Sequence, residues 1–86
     1  MAVDVGTDTT INTDTTAKHI ITDDNVTLIN NAHINFNGET TIDLGGSSGT
    51  IIINNAGASI RGNDDVIKCT ADKVFVQVPS PFIILA

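Results

Sequence analysis

The segment Asn25-Val26-Thr27-Leu28-Ile29-Asn30-Asn31-Ala32 returns 24 positions later as Gly49-Thr50-Ile51-Ile52-Ile53-Asn54-Asn55-Ala56, and a further step carries Leu28 and Ile52 on to Val76. Self-similarity at a fixed period of about 20 to 50 residues marks a chain of stacked units, none of which buries its apolar side alone. Inside that period, apolar clusters recur every seven to ten residues: around Ile11, Ile20, Val26 to Ile29, Ile34 to Phe36, Ile42 to Leu44, Ile51 to Ile53, Ile60, Val66 to Ile67, Val74 to Val78 and Phe82 to Leu85. Asn, Asp, Gly, Ser and Thr separate them, residues that turn a chain through left-handed backbone or local side-chain hydrogen bonds. Ile, Val and Thr are abundant, and no stretch carries an apolar stripe at helical spacing over three turns. β-branched side chains suit a pleated surface.

Three short strands per 24-residue repeat predict an all-β chain: a short parallel β-helix, or β-solenoid, of about three coils with three short strands per coil. A single coil leaves a row of backbone groups unpaired, and stacking the next one about 4.8 Å away satisfies them while closing the interior. Identical residues then stack. Asn30 over Asn54 and Asn31 over Asn55 are predicted amide ladders, and Ala32 over Ala56 and Gly38 over Gly62 tight corners. The same shift sets Ile34 on Ala58, Phe36 on Ile60, Ile42 on Val66 and Thr41 on Asp65. A competing local signal is Asn37-Gly38 between His33-Ile34-Asn35-Phe36 and Thr40-Thr41-Ile42-Asp43-Leu44, which reads as a two-residue antiparallel hairpin. The repeat covers more of the chain and takes precedence.

The run Gly49-Thr50-Ile51-Ile52-Ile53-Asn54-Asn55-Ala56-Gly57-Ala58-Ser59-Ile60-Arg61-Gly62-Asn63-Asp64-Asp65-Val66-Ile67 resembles the rungs of right-handed parallel β-helices in bacterial autotransporter passengers and phage tailspike or virion-surface proteins. The resemblance spans residues 10 to 78 and implies the right hand of the coil. Such rungs host adhesins, polysaccharide lyases, tailspikes and purely structural modules, so function has to be read from side chains.

Asn12-Thr13-Asp14, Asp23-Asp24 and Arg61 resemble elements of pectin-cleaving β-helices, in which acids from successive coils converge. Here Asp14 and Asp23 are nine residues apart, on different sides of one coil, and the Gly-His-Gly and Arg-Ile-Lys elements are missing. They read as turn and solvent residues, and the chain as no enzyme. Asp64-Asp65 after Gly62-Asn63 offers oxygen ligands, but the Gly-Gly-x-Gly-x-Asp nonapeptide of calcium β-rolls is absent, since Gly45-Gly46-Ser47-Ser48-Gly49 has no aspartate. His19 and His33 stand 14 apart with no thiolate cluster, so neither metal nor cofactor is expected. Rows of stacked threonine, as in ice-binding coils, break where Thr27 gives way to Ile51 and Phe75. Asn25-Val26-Thr27 fits a glycosylation acceptor by coincidence, and Cys69 reads as a small buried hydrophobe.

Charge bears on partners. Ten acids against 4 bases give a net charge of −6, which disfavours nucleic acid. No apolar run approaches the roughly 18 residues of a membrane span, so no membrane is expected. The chain divides into an arm over residues 1–10, which either orders as a partial first coil or docks onto a neighbour, the solenoid over 11–78 and an apolar cap or interface tail over 79–86, where Pro79-Ser80-Pro81 ends strand pairing and Phe82-Ile83-Ile84-Leu85-Ala86 follows. So few coils leave open ends, and Val3, Val5, Phe82, Ile83, Ile84 and Leu85 are the predicted interface residues. The expectation is a non-enzymatic structural protein made in a host cytoplasm: a homo-oligomer, taken as a trimer, that decorates or cements the virion surface of a bacteriophage by bridging subunits of a capsid shell. The initiator-like Met1-Ala2 start and absence of an export signal motivate it. The alternative is a stalk fragment of a secreted autotransporter or adhesin passenger at a bacterial cell surface.

Overall fold

The computed structural model describes residues 2–69 and 74–77, with ten β-strands and no helix among them. The strands are β1 (Ala2–Val5), β2 (Thr9–Ile11), β3 (Lys18–Ile21), β4 (Thr27–Asn30), β5 (His33–Phe36), β6 (Thr40–Gly45), β7 (Thr50–Asn54), β8 (Ser59–Gly62), β9 (Asp65–Cys69) and β10 (Val74–Gln77). Burial alternates along β3, β4 and β7 as a pleat requires. In β7, Thr50, Ile52 and Asn54 are buried while Ile51 is exposed.

Three sheets form, with strand orders β1-β3-β6-β9, β10-β7-β4-β2 and β5-β8, here sheets A, B and C. Every ladder is parallel. The chain visits A, B and C in rotation, so each strand pairs with the strand one full pass later rather than with its neighbour in sequence. In sheet B the expected register is observed: Thr27 pairs with Ile51, Leu28 with Ile52 and Asn30 with Asn54, and then Ile51 with Phe75 and Ile52 with Val76. The Asn37-Gly38 hairpin is not formed, because β5 pairs with β8 while β6 lies in another sheet between β3 and β9. Gly38 serves the corner instead: a Cβ there would collide with the Phe36 ring.

On the third side the constant shift fails. Ile34 pairs with Ile60 rather than Ala58, and Phe36 with Gly62, which therefore does not lie under Gly38. The cause is two extra residues in the turn after β7. Ala56 and Gly57 are exposed, Gly57 at φ 84°, and Ala58 rather than Ala56 comes beneath Ala32, with the Ser59 amide donating to the Ala32 carbonyl at 3.0 Å. That positive φ is one that glycine adopts without a Cβ penalty. The surplus is lost again downstream: Ile42 pairs with Ile67 rather than Val66, Asp65 faces Thr40 rather than Thr41, and an irregularity between Asp43 and Gly45 restores the register in which Thr50 pairs with Val74.

The first pass is shorter than the others. Ala2 pairs with Lys18, Thr9 with Leu28, and on the third side a single bridge joins Thr15 to Ile34. Residues 2–5 thus form the edge strand of sheet A, paired with β3.

Side chains from all three sheets fill one interior. Val5, Ile21 and Leu44 enter from sheet A, with Ile42 and Ile67 beside them; Ile11, Leu28 and Ile52 enter from sheet B, and Ile34 and Ile60 from sheet C. Leu28, Ile34, Ile42, Leu44 and Ile52 are fully buried. Each such side chain contributes about 1.5–3 kcal/mol relative to exposure. His19 occupies the same inward row of sheet A, between Val3 and Ile42.

Candidate functional site

Polar side chains concentrate at the corners between sheets. At the B–C corner, Asn30 and Asn54 point inward and are 0% and 1% exposed. Asn30 Nδ2 shares its two hydrogens among Asn54 Oδ1 at 2.9 Å and the carbonyls of Ala32 and Ser59, each at 3.0 Å, while its Oδ1 accepts from the Ala32 amide at 3.1 Å. Asn54 Nδ2 donates to the Ala58 carbonyl at 3.0 Å. Both amides therefore bond backbone groups of the corner, where buried polar groups need partners. In the first pass Ile11 takes this position, paired with Asn30.

One residue further on, outside the corner, runs an exposed ladder. Asn55 Nδ2 donates to Asn31 Oδ1, and Asn31 Nδ2 donates to Asn12 Oδ1 at 3.0 Å. Asn12 is the member that a 24-residue step misses, because the first pass places it 19 positions before Asn31. The pairs Ile11-Asn12, Asn30-Asn31 and Asn54-Asn55 carry the signal once that shorter spacing is allowed.

Carboxylates do similar work. Asp8 Oδ1 accepts from the Thr27 amide at 2.9 Å, Asp14 Oδ1 from the His33 amide at 3.0 Å and Asp24 Oδ1 from the Ser48 amide at 2.8 Å. Each joins one pass to the next, through the first N–H of a strand at Thr27 and His33 and through a turn N–H at Ser48. Asp23 accepts from the Thr22 hydroxyl at 2.8 Å. Asp14 lies between β2 and the Thr15 bridge and Asp23 between β3 and β4, so the structure leaves these acids on separate corners. Asn25, at φ 60°, precedes β4 directly above Gly49, and its amide oxygen fills the space that a Gly49 Cβ would need.

A shallow polar groove lies between the turns Thr22–Asp24 and Gly45–Ser47, floored by Ile21 and Leu44. Its acids are engaged as above, and Ser47 Oγ donates to the Ile21 carbonyl at 3.2 Å. Among the described residues no three His, Cys, Asp or Glu side chains stand together to hold a metal ion. His33 Nδ1 lies 2.7 Å from Ser59 Oγ on the outside of sheet C. His19 is 5% exposed, and its Nδ1 donates to the Ala17 carbonyl at 3.1 Å. Desolvation lowers its pKa below the usual histidine value, opposed by that carbonyl.

The predicted interface residues separate. Val3 is 37% exposed at the edge of sheet A, whereas Val5 is 3% exposed and part of the core. Phe82, Ile83, Ile84 and Leu85, and the side chain of Cys69, lie outside the described residues. Comparison with protein-family models, curated proteins and solved structures gave no match.

Proposed function

We propose that the chain is a short parallel β-helix with a structural, non-enzymatic role: a self-associating protein that decorates or cements a larger assembly such as a capsid shell. The observation that carries this reading is the use of the polar corner side chains. Asn30, Asn31, Asp8, Asp14 and Asp24 all bond to the neighbouring pass. They hold strands together. Open sheet edges suit adhesion between subunits, because they invite covering.

The test is the solution mass of the intact chain by light scattering, beside a chain truncated after Val78. A single closed oligomer that becomes smaller on truncation is the expected result and places the bridging contact in residues 79–86. A monomer in both forms overturns the reading. So does open-ended growth with concentration, the behaviour of a slice of a longer stalk.

A further inference from the structure

The three sheets differ in what they present outward. The strands of sheet A include Asp4, Lys18, Asp43, Asp65 and Lys68, with Lys18 and Asp43 in a loose ion pair at 3.9 Å. Sheet C includes Arg61. The four strands of sheet B, reading TTI, TLIN, TIIIN and VFVQ, contain no charged residue. In a chain of net charge −6, that side is uncharged by placement, because the acids near it are confined to the turns.

Its outward positions are Thr10, Thr27, Ile29, Ile51 and Ile53, with Thr10 stacked on Ile29, Ile29 on Ile53, and Thr27 on Ile51. The same register sets position 75 on Ile51 and position 77 on Ile53. Ile51 at 36% and Val3 at 37% are the exposed large hydrophobics among the described residues. Asp8 and Asp24 border the patch on one side and the ladder of Asn12, Asn31 and Asn55 on the other. An apolar centre inside a polar rim is the anatomy of a protein interface.

We propose that the outward face of sheet B is where copies of this chain meet, turned toward the symmetry axis of the oligomer; the inference rests on the self-associating role above and assigns its surface. Symmetry supplies the argument for a second copy as the occupant. Whatever faces a rotation axis meets its own copies, so a charge there meets the same charge, and the uncharged side is the one an acidic chain can bring together. Four strands about 4.8 Å apart and roughly four residues long make a patch of about 15 by 13 Å. That is small against the ~800 Å² per partner of a standard interface, so the face forms the axial centre of the contact and association depends on concentration.

The experiment is sedimentation equilibrium of the full chain over a concentration series, with circular dichroism to confirm the fold of each variant. Ile51→Glu places an acid at the centre of the face. The double variant Ile51→Thr/Ile53→Thr keeps β-branched side chains and removes apolar surface. Asn35→Glu, on the exposed side of sheet C, adds the same charge elsewhere. The expected result is a dissociation constant at least about tenfold weaker for both face variants and unchanged for Asn35→Glu. An oligomer that survives both face variants, or one weakened equally by Asn35→Glu, overturns the assignment while leaving self-association intact. A monomeric parent chain overturns self-association itself, and the assignment with it.

Discussion

Asn30 and Asn31 are adjacent and make the same kind of bond to the next pass, yet they differ in what surrounds them. Asn30 is sealed in the corner, where removing its amide orphans Asn54 Oδ1 and the Ala32 amide. Asn31 is exposed, and water replaces whatever it loses. Asn30→Ala is expected to cost about 2–4 kcal/mol and Asn31→Ala less than about 1 kcal/mol, read from urea denaturation midpoints; equal costs would refute the burial argument. His19 tests the interior differently. Its folded pKa is depressed, so below the ordinary value of 6.5 the unfolded chain binds the proton more readily than the folded one. The stability its neutral form supplies is present above 6.5 and is lost as the pH falls through the lower folded pKa. Denaturation midpoints measured downward from pH 7.5 should fall across that window, and His19→Met should flatten the decline; an identical slope in the variant would locate the pH dependence elsewhere.

At the scale of strands and turns, the corner after β7 is the most instructive element. Asn30-Asn31-Ala32 and Asn54-Asn55-Ala56 are identical in sequence, yet the second leads into Gly57-Ala58, and the chain spends the extra pair on an exposed loop before resuming with Ala58 under Ala32. Deleting Ala56 and Gly57 should give the short corner already used after β4, with stability within about 1 kcal/mol of the parent because loop length itself costs little. Loss of cooperative unfolding in that variant would show that the longer turn is required. The strands themselves are legible in the sequence: β-branched clusters and turn residues mark nearly every one, and the Asn30–Asn54 and Leu28–Ile52–Val76 registers follow from the repeat. Identity between two tripeptides cannot reveal that one is followed by an insertion, so a constant 24-residue shift sets Ile34 on Ala58 instead of Ile60. Asn12 escaped for a related reason, since the shorter first pass breaks the period that would have found it. The roles of Asp8, Asp14 and Asp24 were hidden because an acceptor for an N–H on the next pass looks, in sequence, like any solvated turn aspartate.

Across the whole molecule, a single repeating geometry sorts the side chains into an apolar interior, corners that join one pass to the next, and three outer surfaces of unlike charge. The contrast between sheet B and the other two is a property of the assembled stack, because its uncharged strands are separated along the chain by acidic turns and the charged strands of the other sheets. Parallel pairing in rotation also has a kinetic side. Even Val5 and Ile21, among the nearest ladder partners, are 16 residues apart, and no ladder in the described chain joins strands through a tight turn. A nascent chain leaving the ribosome therefore gains no sheet bond until a full circuit has emerged. The first closure bears the largest entropic cost, and each later pass then adds to a template already in place, so folding is slow to start and quick to spread.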